Sequence, residues 1–402
     1  MLISLISMPI LIHSIGVDQF GMVNLAFSVI IILNVVVVFG YSLAGPREVA
    51  LAGQDKNALS HIASNIFSAK ILLAAISSLG ILIAIFGFNL FQSYQEILIF
   101  SILLLFSEAT LPLWFFQGLE KMKLVSIANI FSKLIYLTGI VLFIHIPEQA
   151  KWVNFVLGFS GLVVNILLLG YIQAFLGIRF YRPEFFAIWN NLKNNILLFF
   201  SSLASYISTN GGLIVLSFFA NSTTLGMFSL AEKITLILRI FPALVVQAVY
   251  ANATKLYHGH REQFFKYVLR IAFWAVLIGL LISITTFLLA SFVIQVLSKK
   301  ELLEAVIFLK ILAFVPTLAC LNIVNVLLFL VKDQKSLIFR SSWMLCIYMI
   351  LGSSILTHFF GGVGLAFGLV SGELVVFGIC LVLNLIYNKP DMIQMLKIFK
   401  KT

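Results

Sequence analysis

The sequence predicts an all-α polytopic membrane protein of about twelve transmembrane helices in two six-helix lobes, and three observations lead there. The first is composition: 402 residues that are 61% hydrophobic and only 10% charged, with a mean hydropathy of +1.11, fall outside the range of soluble domains. The second is periodicity. Apolar runs of about 20 residues, long enough to cross a ~30 Å hydrocarbon core as helix, recur along the chain with short polar breaks. The alternating pattern of an outer-membrane barrel is absent, which leaves helices as the way to satisfy the backbone in lipid. The third is an internal echo: Gly21-Met-Val-Asn-Leu-Ala26 returns as Gly226-Met-Phe-Ser-Leu-Ala231, 205 residues later.

The spans follow in order. The first six are placed at residues 1–14, 20–44, 62–86, 97–116, 124–146 and 152–176, and the second six at 195–220, 225–251, 267–297, 302–331, 337–358 and 361–387. The first is short, opens at Met1 directly on apolar residues without the charged lead of a signal peptide, and reads as a truncated helix. The expected organisation is therefore an N-terminal lobe at 1–176, a cytoplasmic linker at 177–194, a C-terminal lobe at 195–388 and a basic cytoplasmic tail at 389–402.

Basic residues orient these spans. Of the 26 Lys and Arg, eighteen, running from Arg47 to Lys401, fall in the tail and in loops on one side, and three, Lys151, Lys299 and Lys300, in loops on the other. The asymmetry predicts that both termini are cytoplasmic. The formal charge of +11 then reflects topology and attraction to the membrane lipid of the inner leaflet, and nucleic acid is excluded as a partner. The two copies of the echo each enter the second helix of a six-helix set in the same direction. Related halves so arranged predict a pseudo-two-fold axis along the membrane normal, with a substrate site between the lobes.

Five bases lie within spans: Lys70, Lys133, Lys233, Arg239 and Lys310; so do three acids, Glu108, Glu232 and Glu373. Charges in a bilayer are costly, roughly 2.5–3.5 kcal/mol each for Lys or Arg, and usually face a cavity or a partner. Lys70 and Lys133 sit roughly 13 Å from the nearest boundary and Arg239 roughly 21 Å, at 1.5 Å per residue, too deep for easy snorkelling. Asn129, Lys133 and Tyr136 form one helical stripe, and Glu232 and Arg239, seven apart, another. At the repeat offset Asn34 corresponds to Arg239, and Asn210 lies where Gly211 and Gly212 weaken the seventh helix. The expectation is a wet, net cationic cavity. It selects an anion, and Arg suits phosphate through bidentate hydrogen bonds; a lipid phosphate or pyrophosphate is its natural apolar-tailed form.

Other chemistry is not supported. A GxxxxGK[ST] phosphate loop is absent, which argues against direct use of ATP. Cys320, Cys346 and Cys380 lie in apolar spans without CxxC spacing and read as small buried hydrophobes. His258 and His260 flank Gly259 in a basic loop that reads as solvated, so neither a metal nor a cofactor is expected.

Three stretches carry a family resemblance. Pro46-Arg47-Glu48-Val49-Ala50 resembles the second-helix exit of bacterial Wzx-type polysaccharide flippases, with Pro46 where Thr is usual. Pro112-Leu-Trp-Phe-Phe-Gln-Gly-Leu-Glu-Lys-Met-Lys123 is similar to that family's turn after the fourth helix, and Leu225-Gly-Met-Phe-Ser-Leu-Ala-Glu-Lys-Ile234 to its entry to the eighth, with Phe228 at a Tyr position. The resemblance implies the MATE-like exporter fold of the MOP superfamily and a non-enzymatic transporter of the bacterial inner membrane. Its implied substrate is an undecaprenyl-pyrophosphate-linked oligosaccharide, an O-antigen or polysaccharide repeat unit, flipped by alternating access, with polysaccharide assembly proteins as candidate partners. The expected substrate-binding residues are Arg239, Lys133, Lys70, Lys233 and Arg47; the candidate ion-coupling residues are Glu232, Glu108 and Glu373, and Asn34, Asn129 and Asn210 are the cavity polar groups. Two alternatives stay open: a cation-coupled multidrug exporter of the same fold, for which an acidic cavity is expected, and a membrane polysaccharide polymerase or ligase, for which a large outside loop is expected.

Overall fold

The computed structural model describes residues Leu2–Phe399; Met1 and the last tail residues, including Lys400 and Lys401, lie outside the described residues. The chain is helical throughout and divides into two compact units between Tyr206 and Ile207. Nine helical stretches among the described residues are long and apolar enough to cross a bilayer. Two of these hold two passes each, because Gly16 (φ 81°, ψ 166°) breaks Leu2–Val38 and Gly361 (φ 57°, ψ −138°) breaks Lys335–Tyr387. Both conformations belong to glycine, since a Cβ strains the backbone there. The seventh pass is too polar to count by composition, with Asn190, Asn191, Lys193, Asn194 and Asn195 in its first turns. Twelve passes result, as the apolar pattern predicts.

In the first unit α1 covers 2–15, and α2 runs from 17 to Val38, turns at Phe39 and the left-handed Gly40, and continues as Tyr41–Ala52. The second span therefore extends past residue 44, and Arg47 and Glu48 lie inside helix. Asp55 caps α3 (Lys56–Phe86) by accepting from the Asn57 and Ala58 amides at 2.9 and 3.2 Å, a strong start signal. The fourth pass, α4, is Gln95–Ser101, Leu103–Thr110 and Leu113–Gly118, and α5 (Met122–Phe143) and α6 (Lys151–Leu176) complete the unit's membrane passes. Residues 179–184 are strapped onto α3: the Arg179, Tyr181 and Glu184 amides donate to Ser60, Ser64 and Asn65 side chains.

Two of the three resemblance motifs build the core of this unit. Gly45 in α2 lets Trp114 approach so closely that a Cβ would meet its ring at 2.9 Å, and a Cβ on Gly118 would sit 2.5 Å from Val49 Cβ and 2.7 Å from the Pro46 carbonyl. Val49, Trp114, Phe115 and Phe116 are all buried in one cluster with Tyr41 and Phe67. Pro112 breaks α4 because it lacks an N–H and disfavours helix at Leu111, which is extended (φ −68°, ψ 115°). The carbonyls around that break are met by side chains, Asn165 donating to Ser107 at 2.8 Å and Lys70 to Leu111 at 3.4 Å, as backbone in lipid requires.

The seventh pass, α7 (Phe185–Asn210 and Gly212–Ser217), leads into the second unit and starts well before residue 195, its polar first turns lying in the stretch read as linker. Then come α8 (Ser222–Leu238 and Ile240–Gly259), α9 (Arg261–Ser298), α10 (303–331, bent near Phe314 and Asn322), α11 (335–360), α12 (362–387) and the short α13 (Lys389–Phe399). A Tyr348–Ser371 hydrogen bond of 2.7 Å joins α11 to α12 below the Gly361 break, and Ser283–Thr317 at 2.7 Å joins α9 to α10. The apolar core of this unit gathers Tyr257, Phe264, Phe265, Leu327 and Leu328.

Candidate functional site

A cavity lined by charged side chains lies inside the second unit, beside a broken helix. Asn221 caps α8, its side chain accepting from the Thr224 amide at 2.9 Å. The first segment carries the second copy of the echo, Gly226 to Ala231, buried on every residue. Pro242 ends it, because proline removes the hydrogen bond to the Leu238 carbonyl and crowds it. The joint falls on Arg239 (φ −65°, ψ −11°), with Ile240 opening the next segment.

Arg239, Glu232 and Thr235 face one cavity with Ser208 and Thr209 of α7, Met349 of α11, and Gly372 and Glu373 of α12. Its volume is about 30 Å³, room for one or two waters. Gly212 stands beside Glu232, and Gly372 stands close against Met349. A Cβ on Gly212 would meet Glu232 Oε1 at 3.4 Å, and one on Gly372 would meet Met349 Sδ at 3.0 Å. Across the cavity Arg239 Nη2 and Glu373 Oε1 form an ion pair of 2.6 Å, with side-chain exposures of 28% and 7%. Glu232 is buried and feels the charge of neighbouring Lys233, itself half-buried. The charged lining is thus two carboxylates to one guanidinium.

Where the sequence predicts a net cationic cavity, Arg239 here meets a carboxylate. Its counter-charge comes from α12, 134 residues away in sequence, and the pair removes much of the cost of burying either ion. Asn210 ends the first segment of α7 beside Thr209, to whose hydroxyl it donates at 2.8 Å. Thr235, which the sequence reading passed over, carries a readable signal: it stands three residues after Glu232 and four before Arg239 on one helical face.

The remaining predicted residues lie in the first unit. Lys70 is 3% exposed, with its ammonium at the Leu111 carbonyl, and the charge beside it is that of half-buried Glu108. Lys133 is half-buried over the Tyr136 ring at 5.9 Å, a cation–π distance, while Asn129 on the same stripe is exposed. Asn34 is half-buried, and its carbonyl oxygen is fully enclosed with no hydrogen-bond partner. Arg47 is exposed, and among the described residues no ion pair joins it to Glu48; adjacent helical side chains do not face each other.

A second polar cluster was not legible in advance. Asp391 of α13, 3% exposed, receives Lys332 at 2.9 Å and the Tyr257 hydroxyl at 3.2 Å, and Arg261 lies 3.7 Å away. Asn388, Asn384, Asn325 and Asn322 extend it as a hydrogen-bonded ladder into the unit. The three cysteines are free and buried, and no cluster of potential metal ligands occurs among the described residues.

Residues 1–251 match the model of a family described as polysaccharide biosynthesis protein. An Escherichia coli K12 protein named "Putative O-antigen transporter" is 23% identical over 384 residues, covering 94% of this chain and 92% of that protein. A Shigella dysenteriae protein of the same name is 27% identical over 261 residues, 62% of this chain and 63% of its own. Among solved structures, an inward-facing multidrug resistance MATE family transporter of the MOP superfamily superposes with a TM-score of 0.75 at 15% identity, covering all of this chain and 96% of its own. An outward-facing MATE transporter of that superfamily gives 0.62 at 15% identity over 100% and 93%. At these identities the structures establish the fold, which is that of the MATE-like transporters.

Proposed function

We propose, for a chain that belongs to the polysaccharide biosynthesis protein family, that it moves a polyprenyl-pyrophosphate-linked oligosaccharide across the bacterial inner membrane by alternating access, with both termini in the cytoplasm. The observation that carries this reading is the likeness to the E. coli protein named as an O-antigen transporter, which runs through nearly the whole of both chains. Arg239 supports it from within, as a guanidinium set deep in a membrane-spanning unit at a helix joint. Its donors match the pyrophosphate that such a carrier presents, and low dielectric strengthens the attraction. Lys233, half-buried next to Glu232, and Lys133 of the first unit supply further positive charge in this reading; Lys70 and Arg47 complete the basic set, and Glu108, Glu232 and Glu373 remain its candidate proton sites.

A multidrug exporter is the second reading, favoured by the MATE neighbours. One experiment separates the two. The gene is deleted in its host, and the leaflet holding polyprenyl-pyrophosphate-linked oligosaccharide is measured together with sensitivity to cationic drugs. The proposal expects accumulation in the inner leaflet, reversed by the wild-type chain and not by Arg239→Ala. An unchanged leaflet distribution with raised drug sensitivity would replace it with the exporter. A polymerase or ligase would instead leave flipped but unpolymerised or unattached glycan in the outer leaflet.

A further inference from the structure

We propose that Glu373 is an internal anion that occupies Arg239 until a phosphate displaces it, so that the site is latched by its own carboxylate. The proposal rests on Arg239 meeting the transported headgroup, and adds how that meeting is controlled. The closest contact of the pair is Nη2 to Oε1 at 2.6 Å, and a guanidinium offers five N–H donors in a fork. Exposure is lopsided: Glu373 holds the guanidinium from the enclosed side at 7%, while Arg239 keeps 28% of its side chain accessible. The accessible side is where a ligand can arrive.

The rest of the lining makes this an exchange and not a simple addition. Glu232 is buried on the same cavity, and with Glu373 it places two carboxylates around one guanidinium. An anion approaching while Glu373 stays in place meets that carboxylate beside the guanidinium it needs, in a poorly screened space. Phosphate or pyrophosphate therefore competes with Glu373 for the Arg239 donors. A ligand with more charge and two parallel acceptors does so where a carboxylate or a neutral sugar does not. The latch thus sets a charge threshold for the headgroup, and Glu373 acts as a specificity-determining residue.

The test uses the full chain in lipid nanodiscs, with calorimetric titration of farnesyl pyrophosphate and, separately, inorganic pyrophosphate. Glu373→Gln is expected to bind farnesyl pyrophosphate about tenfold tighter than wild type, a gain of one charge-assisted contact no longer contested. Glu373→Asp, which keeps the charge on a shorter arm, should fall between them. Arg239→Gln and the double variant Arg239→Gln/Glu373→Gln should lose binding, and a normal melt of the double variant shows that the fold tolerates a neutral pair. A folded Glu373→Gln that binds no tighter than wild type overturns the latch; if Arg239→Gln still loses binding, the phosphate site itself stands. Arg239→Gln binding as well as wild type overturns both. Should Glu373→Gln not fold, Glu373→Asp decides by the same comparison, unchanged affinity overturning the latch. A shift seen with both probes assigns recognition to the pyrophosphate alone, and a shift seen only with the farnesyl compound assigns it to a lipid-borne headgroup.

Discussion

Arg239→Gln should destabilise the second unit more than Glu373→Gln, and the asymmetry follows from exposure. Removing the guanidinium strands a carboxylate whose side chain is 7% exposed. Breaking a buried pair in this way costs about 3–5 kcal/mol, because the remaining charge has neither water nor a partner. Removing the carboxylate leaves a guanidinium that keeps 28% exposure, where cavity water can hydrate it, so the loss is only about 1–3 kcal/mol. For a unit of this size each kcal/mol moves the melting temperature by roughly 2–4 °C, so Arg239→Gln should lower it by about 6–20 °C. The double variant should recover most of that loss, since a neutral pair leaves no buried charge. The assay is thermal unfolding of purified protein in detergent, as a double-mutant cycle. If Arg239→Gln melts with wild type, or the double variant melts at the sum of the two single losses, the ion pair does not hold this cavity together.

Other outcomes follow from the packing. Gly118→Ala places a Cβ 2.5 Å from Val49 Cβ and 2.7 Å from the Pro46 carbonyl; backbone must move, and a loss of about 1–3 kcal/mol is expected in the same melt. Gly361→Ala meets no neighbouring atom yet forces alanine to φ 57°, ψ −138°, costing about 1–3 kcal/mol through backbone strain alone. Gly170→Ala, equally open but at an ordinary φ, is its control and should lose nothing. Asp391→Asn removes the charge facing Lys332 and Arg261, and hydrogen exchange across Lys389–Phe399 should accelerate while the rest of the unit stays protected. Lys70→Met leaves the Leu111 carbonyl without its 3.4 Å donor; about 1–3 kcal/mol of stability should disappear, seen as a lower melting temperature.

The number and order of the passes were legible because a bilayer imposes one demand on every segment, and that demand is local: enough apolar residues in a row to cross it as helix. The joints were partly legible for a similar reason. Pro112 and Pro242 remove backbone hydrogen bonds wherever they stand, and the breaks at Leu111 and Arg239 sit beside them. The seventh pass was the exception. Its start at Phe185 hides behind asparagines and a lysine that resemble a linker. Only packing showed that the preceding residues are tied to Ser60 and Ser64 of α3.

Which ionisable groups lie within the spans was also in the sequence, since a Lys, Arg or Glu in a membrane span stands out by its cost alone. What those charges do was decided by the tertiary structure. Lys70 and Arg239 look alike as buried cations along the chain, yet one meets a carbonyl freed by proline and the other a carboxylate of the twelfth pass. Hydropathy and spacing sum contributions one residue at a time. A pairing depends on how each helix is rotated against its neighbours, which is set by contacts such as Gly212 beside Glu232 and Gly372 beside Met349. By itself the sequence determined a twelve-pass helical chain with ionisable groups in its membrane spans; only the packing of α7, α8, α11 and α12 decided that Arg239 faces Glu373, because that contact joins residues no local rule connects.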